Sequence, residues 1–288
     1  MLKAPKVSVH GGHSGEFCNH ASDSLEQIVL AYIDAGFSWV GVTEHMHAVS
    51  EEFVYPDERE AGLNAAKLKS RFGQYFAECT RLKEKYHDRI ELLVAFEIES
   101  CSGSVAVIEH IIDTFKPDYI VGSVHHVSDF MIDYSRDEYD KAVRFHGGVE
   151  QLFCQYFDQQ YEMIVRYKPS VVGHFDLIRL FDPDYLRTLS RPEVANRVNR
   201  NLEKVREFDL ILDFNMAGFD KEGREPFPTK SILNQAAAMG IAIVPGDDSH
   251  GVSMVGRHYD KGIERLIEAG VGLDFRKPHR LNYEGRQR

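Results

Sequence analysis

The chain has 288 residues, 43% of them hydrophobic and 27% charged, with only 22 Gly and 10 Pro. That composition belongs to an ordinary globule and excludes a disordered, collagen-like or low-complexity protein. Asp and Glu outnumber Lys and Arg by 45 to 34, and the resulting charge of −11 repels nucleic-acid phosphates at long range, so no nucleic-acid partner is expected.

Short apolar runs alternate with helical patterns along the chain. Val7-Ser8-Val9 predicts a first strand, and Asp23-Ser24-Leu25-Glu26-Gln27 then opens a helix with capping residues and a Leu25, Ile28, Val29, Ile33 face. Strand Trp39 to Val42 precedes helix Ala65 to Tyr86, and strand Leu92 to Phe96 precedes helix Val105 to Phe115. Strand Tyr119 to Val124 is followed by helix Gly148 to Arg166, and Ser170 to Val172 by Arg191 to Glu207. Leu210 to Phe214 leads to Lys230 to Ala238, and Ile241 to Val244 to Gly262 to Ala269. Strands this apolar are buried on both faces, as in a parallel sheet. Seven strand–helix units without a Pro/Gly/Ser-rich linker predict one α/β domain over residues 1–288, a distorted (β/α)7 TIM-like barrel, with a doubly wound open sheet as the competing architecture. The irregular stretches 46–62 and 127–147 are candidate loops over a site.

Each apolar run ends in a polar group. VSV leads to His10 and His13, WVGVT to Glu44 and His45, LLVAF to Glu97, and YIVGSV to His125 and His126. SVVG leads to His174, LILDF to Asn215, and IAIVPG to Asp247, Asp248, Ser249 and His250. The C-terminal ends of barrel strands converge on one mouth, so these residues should meet there. One histidine after a strand is ordinarily a capping or core residue, and one buried glutamate ordinarily pairs with arginine. Seven histidines (His10, His13, His20, His45, His125, His174, His250) with Glu97 and Asp248 are too costly to gather without a cation. They exceed what one ion needs and predict a cluster of two or three divalent ions. Cys18 reads as a small hydrophobe, and His13-Ser14-Gly15 lacks the surroundings of a nucleophile elbow. His126 should point away from His125 if the strand persists. His47, His87, His110, His146, His258 and His279 lack the strand-end context.

The ordered pieces HGGHSGEFCNHA (10–21), GVTEH (41–45), AFEIE (95–99), GSVHH (122–126), GHFDLIR (173–179), FNMAG (214–218), EPFP (225–228) and GDDSHGVSMVG (246–256) resemble the polymerase-and-histidinol-phosphatase (PHP) superfamily, and within it the histidinol-phosphate phosphatases. The resemblance spans almost the whole chain. It implies a distorted seven-stranded barrel holding three metal ions of zinc, manganese or iron. The first ion would be held by His10, His13, Glu97 and Asp248, the second by Glu97, His125 and His174, and the third by His20, His45 and His250. The family begins with His-x-His where this chain has His-Gly-Gly-His, so a bulge is needed to aim both rings inward.

The implied activity is hydrolysis of L-histidinol phosphate to L-histidinol and phosphate, a step of histidine biosynthesis, by hydroxide generated on a water that bridges the ions. Divalent ions bind the phosphoryl oxygens, lower the pKa of water and stabilise the leaving oxygen of an ester that is otherwise among the slowest to hydrolyse. Glu97, Asp248 and His250 are the candidate catalytic residues. Arg179, Lys221 and Arg224 are the candidate phosphate contacts. Asp176 could orient a ligand histidine, and Glu16, Asp129 and Asp220 could supply an acidic rim for the substrate's amine and imidazole. The partner expected is thus a small phosphate ester. Another phosphate ester or a nucleotide on the same site is the first alternative, and a non-catalytic metal-stabilised module the second. No apolar run reaches the roughly 18 residues of a membrane helix, and no heptad sets an oligomeric state. The opening MLKAPKVSVH and the unpaired spacing of Cys18, Cys79, Cys101 and Cys154 predict a cytoplasmic protein.

Overall fold

In the computed structural model, which describes residues 5–221, 223 and 225–283, the strands in chain order are β1 (Lys6–Gly11), β2 (Phe37–His45), β3 (Glu91–Glu97), β4 (Tyr119–Gly122), β5 (His126–Val127), β6 (Phe130–Met131), β7 (Val171–Val172), β8 (Ile211–Asn215) and β9 (Ala242–Gly246). Seven of them form one parallel sheet in the order β1-β2-β3-β4-β7-β8-β9, while β5 and β6 pair as an antiparallel hairpin. Neighbours in space are neighbours in sequence. A doubly wound sheet reverses its strand order part-way, and this one does not. Its two edges meet instead. The Asp248 amide donates to His10 O (2.8 Å), Ser8 Oγ donates to Asp247 Oδ1 (2.6 Å), and Tyr119 reaches across to donate its hydroxyl to Val9 O (2.6 Å). The result is the expected seven-stranded barrel, distorted where β4 and β7 pair over only Val121↔Val171 and Gly122↔Val172.

The helices are α1 (Leu25–Asp34), α2 (Pro56–Glu60), α3 (Ala65–Lys85), α4 (Ser104–Phe115), α5 (Arg136–His146), α6 (Val149–Tyr167), α7 (Tyr185–Leu189), α8 (Pro192–Glu207), α9 (Lys230–Ala238) and α10 (Tyr259–Glu268). The capping box at Ser24 and Gln27 starts α1 as the sequence predicts, and Leu25, Ile28 and Val29 face the sheet. The two stretches expected to be irregular hold short elements of their own: α2 in the first, the hairpin and α5 in the second. Only Tyr139 and Ala142 of α5 are buried, too few to write a helical period into the sequence. No helix among the described residues is long and apolar enough to cross a membrane.

Candidate metal centre

The mouth of the barrel begins with an irregularity. From Ser8 to Gly11, β1 advances three residues while its partner β2 advances two, from Val40 to Val42. This extra residue is the bulge that the His-Gly-Gly-His spacing requires. Gly12 completes it with a φ of +76°, a conformation that costs glycine little. His10 and His13 both end fully buried with their rings turned to the centre.

Glu97, at the end of β3, is the hub. Its Oε1 lies 2.9 Å from His174 Nε2 and 3.1 Å from His125 Nε2, and its Oε2 lies 3.1 Å from His45 Nδ1 and 3.3 Å from His10 Nε2. Asp248, just beyond β9, has a left-handed φ of 45° that presents Oδ1 at 3.2 Å from His13 Nε2 and 3.8 Å from His10 Nε2. Such a conformation is sparsely populated outside glycine and is typical of side chains aimed at a site. His20 and His250 stack with ring centres 4.9 Å apart, and His45 lies 5.4 Å from His20.

A second layer of carboxylates fixes the rings. Asp213 Oδ2 accepts from His10 Nδ1 (2.9 Å), Glu44 Oε1 from His13 Nδ1 (3.0 Å) and Asp133 Oδ2 from His125 Nδ1 (2.9 Å). A carboxylate on Nδ1 draws the proton there and leaves the Nε2 lone pair for the centre, the arrangement that holds histidine as a metal ligand. Asp213 reaches His10 only because residue 246 is glycine: a Cβ there would stand 2.1 Å from Asp213 Oδ1.

The electrostatics point the same way. Burial pulls His10 and His125 down, but the carboxylates around them, Glu97 with Asp248 for His10 and Glu99 with Glu97 for His125, win and hold both well above the usual imidazole value. His13 is pushed up to about 9 against burial by Asp248 and Glu44. Burial raises Glu97 and Asp248, yet their histidines keep both well below the ordinary carboxylate range. His20 is lowered to about 4, and His250 also falls, by burial and by the imidazoles beside them, which keeps both in the neutral form that binds metal. The charged partners of Glu44, Glu97, Glu99, Asp133, Asp213 and Asp248 are imidazoles. Acids and imidazoles balance one another here, and a divalent ion would displace the imidazole protons.

The side chains fit divalent ions on a direct criterion. His10 Nε2, His13 Nε2, His45 Nδ1, Glu97 Oε2 and Asp248 Oδ1 are buried atoms without a hydrogen-bond partner, and all belong to this centre. Buried polar atoms left so are rare and costly. Sets such as His10, His13, Glu97 and His13, Asp248, His250 have ligand atoms within 4.8 Å of one another, as a shared ion requires.

Above the centre lies a cavity of about 830 Å³. His20, His45, His125, His174, Asp248 and His250 line it, whereas His10, His13 and Glu97 lie behind. One wall carries Asp57, Glu58 and Glu99 beside Tyr55 and Tyr134; Lys221 also lines the cavity. Several expectations change here. Arg179 is buried and is not in the lining: its guanidinium donates to Glu225 O (2.7 Å) and Pro226 O (2.9 Å) and lies 3.3 Å from Asp176 Oδ2. It therefore holds the 225–226 backbone rather than offering a phosphate clamp, and Asp176 is its counter-ion rather than an acceptor for a ligand histidine. Arg224 lies outside the described residues. Glu16 accepts from the Leu25 amide, Asp129 from Ser102, and Asp220 from Arg257 and His258, so none forms the acidic wall. His126 does not point away, because β4 stops at Gly122 and alternation no longer applies; it lines the cavity, 3.3 Å from Glu99. His47 also lines the cavity.

Glu44, Asp133 and Asp213 escaped the sequence reading as positioning groups. Two had a visible signal: a carboxylate inside an apolar strand, GVTEH or LILDF, must have a buried partner. Asp133 and the Asp57–Glu58 pair had only a coarse one: they lie in the irregular stretches expected to cover a site, where no periodicity singles a residue out.

A parallel barrel with a buried histidine–carboxylate cluster at its mouth defines the class of metal-binding hydrolase-like barrels. A sequence model described as the PHP domain matches residues 11–217, and the chain belongs to that family. It is 34% identical over 269 residues to a protein of Schizosaccharomyces pombe named "Probable histidinol-phosphatase", covering 92% of this chain and 87% of that one. It is 31% identical to the histidinol-phosphatase of Saccharomyces cerevisiae, covering 92% and 89%. A Listeria monocytogenes protein solved as a candidate histidinol phosphatase superposes with a TM-score of 0.77 at 27% identity, over 89% of this chain and 99% of that one. The histidinol phosphate phosphatase of Lactococcus lactis, solved with zinc, L-histidinol and phosphate, superposes with a TM-score of 0.71 over 95% of each chain; at 19% identity this likeness is one of fold.

Proposed function

We propose that the protein is a metal-dependent phosphomonoesterase that hydrolyses L-histidinol phosphate to L-histidinol and phosphate. One observation carries this reading: a single cavity combines a histidine–carboxylate floor with buried ligand atoms to spare, an acidic, aromatic wall and a lysine. The named relatives support the choice of substrate.

Three ions of zinc, manganese or iron fit the donors. His10, His13, Glu97 and Asp248 would hold one, Glu97, His125 and His174 a second, and His20, His45 and His250 a third. Bound there, they would neutralise the phosphoryl oxygens and bring a water to its nucleophilic form near neutral pH. The chain's own residues do the rest. Asp213, Glu44 and Asp133 keep the rings of His10, His13 and His125 aimed inward. Glu97 lies behind the lining and works by holding ligands. Asp248 and His250 line the cavity and would meet the reacting groups. Lys221 would bind a phosphate oxygen, with Arg224 as its neighbour in sequence. Asp57, Glu58 and Glu99 would receive the substrate's ammonium and imidazole.

Ligands drawn from β1 at one end of the chain and from the segment after β9 at the other make one catalytic domain of the whole length. The four free cysteines suit a reducing compartment and hence the cytoplasm. The test is phosphate release from a panel of esters with elemental analysis of the same sample. About three ions per chain and preference for histidinol phosphate are expected. Efficient turnover of a different ester, with histidinol phosphate ignored, would move the protein elsewhere in its family.

A further inference from the structure

Cys18 occupies a place that the reading as a small hydrophobe does not explain. Its Sγ lies 3.3 Å from His20 Nε2 and 3.4 Å from His20 Nδ1. Cys18, His20, His45 and His250 form a set whose four ligand atoms all lie within 4.8 Å of one another. The thiol is pre-placed by backbone, not by apolar packing alone. The Cys18 amide donates to Ser14 O (2.8 Å), the Gly15 amide to Asp23 O (2.9 Å), and the Ser22 amide to His250 O (2.9 Å). The last bond ties the loop that carries Cys18 and His20 to the loop that carries His250. Arg71 reaches over from α3 and donates to Gly15 O (2.8 Å).

We propose that Cys18 is the fourth protein ligand of the ion held by His20, His45 and His250, so that one thiolate and three imidazoles make that position selective for zinc. The inference rests on reading those three histidines as ligands. Its geometry is simple. Tetrahedral zinc with bonds of about 2.3 Å to sulfur and about 2.0–2.1 Å to nitrogen puts sulfur about 3.5 Å from each nitrogen. Cys18 Sγ stands 3.3 and 3.4 Å from the two His20 nitrogens, so it faces the ring, and His20 must turn to aim one nitrogen at an ion shared with the sulfur; the set itself is closely gathered, all four ligand atoms lying within 4.8 Å of one another. Binding releases the thiol proton to solvent, so the ligand is the thiolate. A thiolate with three imidazoles is a soft set that favours zinc over manganese or magnesium. The set around Glu97 and Asp248 contains carboxylates and lacks sulfur, so it does not share that preference. The centre would then carry two kinds of position, one reserved for zinc and the others open to zinc, manganese or iron.

Cobalt reads the difference without reference to turnover. The full-length protein is stripped with chelator and reloaded with Co(II), and its spectrum is recorded with cobalt counted per chain. A near-ultraviolet thiolate-to-cobalt charge-transfer band is expected in the parent and in Cys101→Ser, whose thiol also lines the cavity. The band should be absent from Cys18→Ser. That variant should also lose zinc from one position with affinity lowered at least about 10–100-fold, the range seen when groups merely supporting a ligand are removed. If Cys18→Ser fails to fold, X-ray absorption of the zinc-loaded parent decides, with a sulfur shell at about 2.3 Å expected. Full cobalt loading with no thiolate band and no sulfur shell would overturn the role of Cys18 and leave the three histidines as ligands. No cobalt bound at all would overturn the ion site itself.

Discussion

The loops that follow the strands hold two buried polar clusters of opposite design. Around Arg179 the protein supplies its own cation. The guanidinium, 1% exposed, neutralises Asp176, donates to two backbone carbonyls and lies 4.1 Å over the ring of Phe227. Around Glu97 the acids are many and their partners are imidazoles, several of whose nitrogens find no hydrogen bond. Burial is similar and the chemistry is not. Each cluster leaves buried atoms without a hydrogen bond, Arg179 Nε and Asp176 Oδ1 among them, so the donor chemistry divides the two: a guanidinium buried beside its counter-ion fixes a segment of chain, whereas carboxylates and imidazoles gathered together make a receptor for a cation. The difference separates structure from function more sharply than depth or residue type does.

The comparison can be broken at its strongest point first. Stripping the ions with a chelator should reduce phosphate release to background and lower the melting temperature, because bound ligand stabilises the folded state; calorimetry before and after zinc is restored checks both. Unchanged stability and turnover in a sample shown to be free of metal would end the claim that the Glu97 cluster needs a cation. Next comes the contrast of Glu97→Gln with Arg179→Met. The first should remove more than one ion per chain and cost activity beyond the 10–100-fold typical of supporting groups. The second should leave Asp176 without its cation and cost about 3–5 kcal/mol of stability in a urea melt, with ion content unchanged. If Arg179→Met instead lost metal and Glu97→Gln did not, the two clusters would have to exchange roles.

Much of this contrast is written in the sequence, and the reason is geometric. Parallel strands deliver the residue after each apolar run to one rim, so His10, His45, Glu97, His174 and Asp248 can be gathered from alternation alone. What escaped depends on depth or on local backbone. An arginine a few residues past a strand looks like an anion clamp, and nothing in GHFDLIR tells that Arg179 is sealed beneath Phe227 and Tyr185. His126 was assigned to the wrong side because β4 ends three residues before His125. Asp57 and Glu58 belong to a five-residue helix, too short to leave a period. Cys18 reads as a small hydrophobe in the sequence because a buried thiol and a ligating thiol are the same letter.

Smaller effects sharpen the contrast from within the mouth. Asp213→Asn keeps the shape beside His10 and removes the charge that holds the proton on Nδ1. Metal affinity should fall about 10–100-fold, read by chelator competition, while the fold is kept. An affinity equal to the parent's would mean that His10 is oriented by packing alone.

The smallest expected effect concerns the substrate. Lys221 is the lysine in the cavity lining, on an exposed loop, free to reach a phosphate oxygen but not rigidly held there. A charge-assisted bond is worth roughly 1.5–3 kcal/mol when well fixed, and solvent reduces it. Lys221→Met should therefore raise KM for histidinol phosphate by about tenfold with little change in ion content. Steady-state kinetics on the metal-counted variant make the measurement. A fall in kcat with KM unchanged would assign the lysine to the transition state rather than to binding, and no change in either would leave phosphate binding to the metal centre without help from this loop.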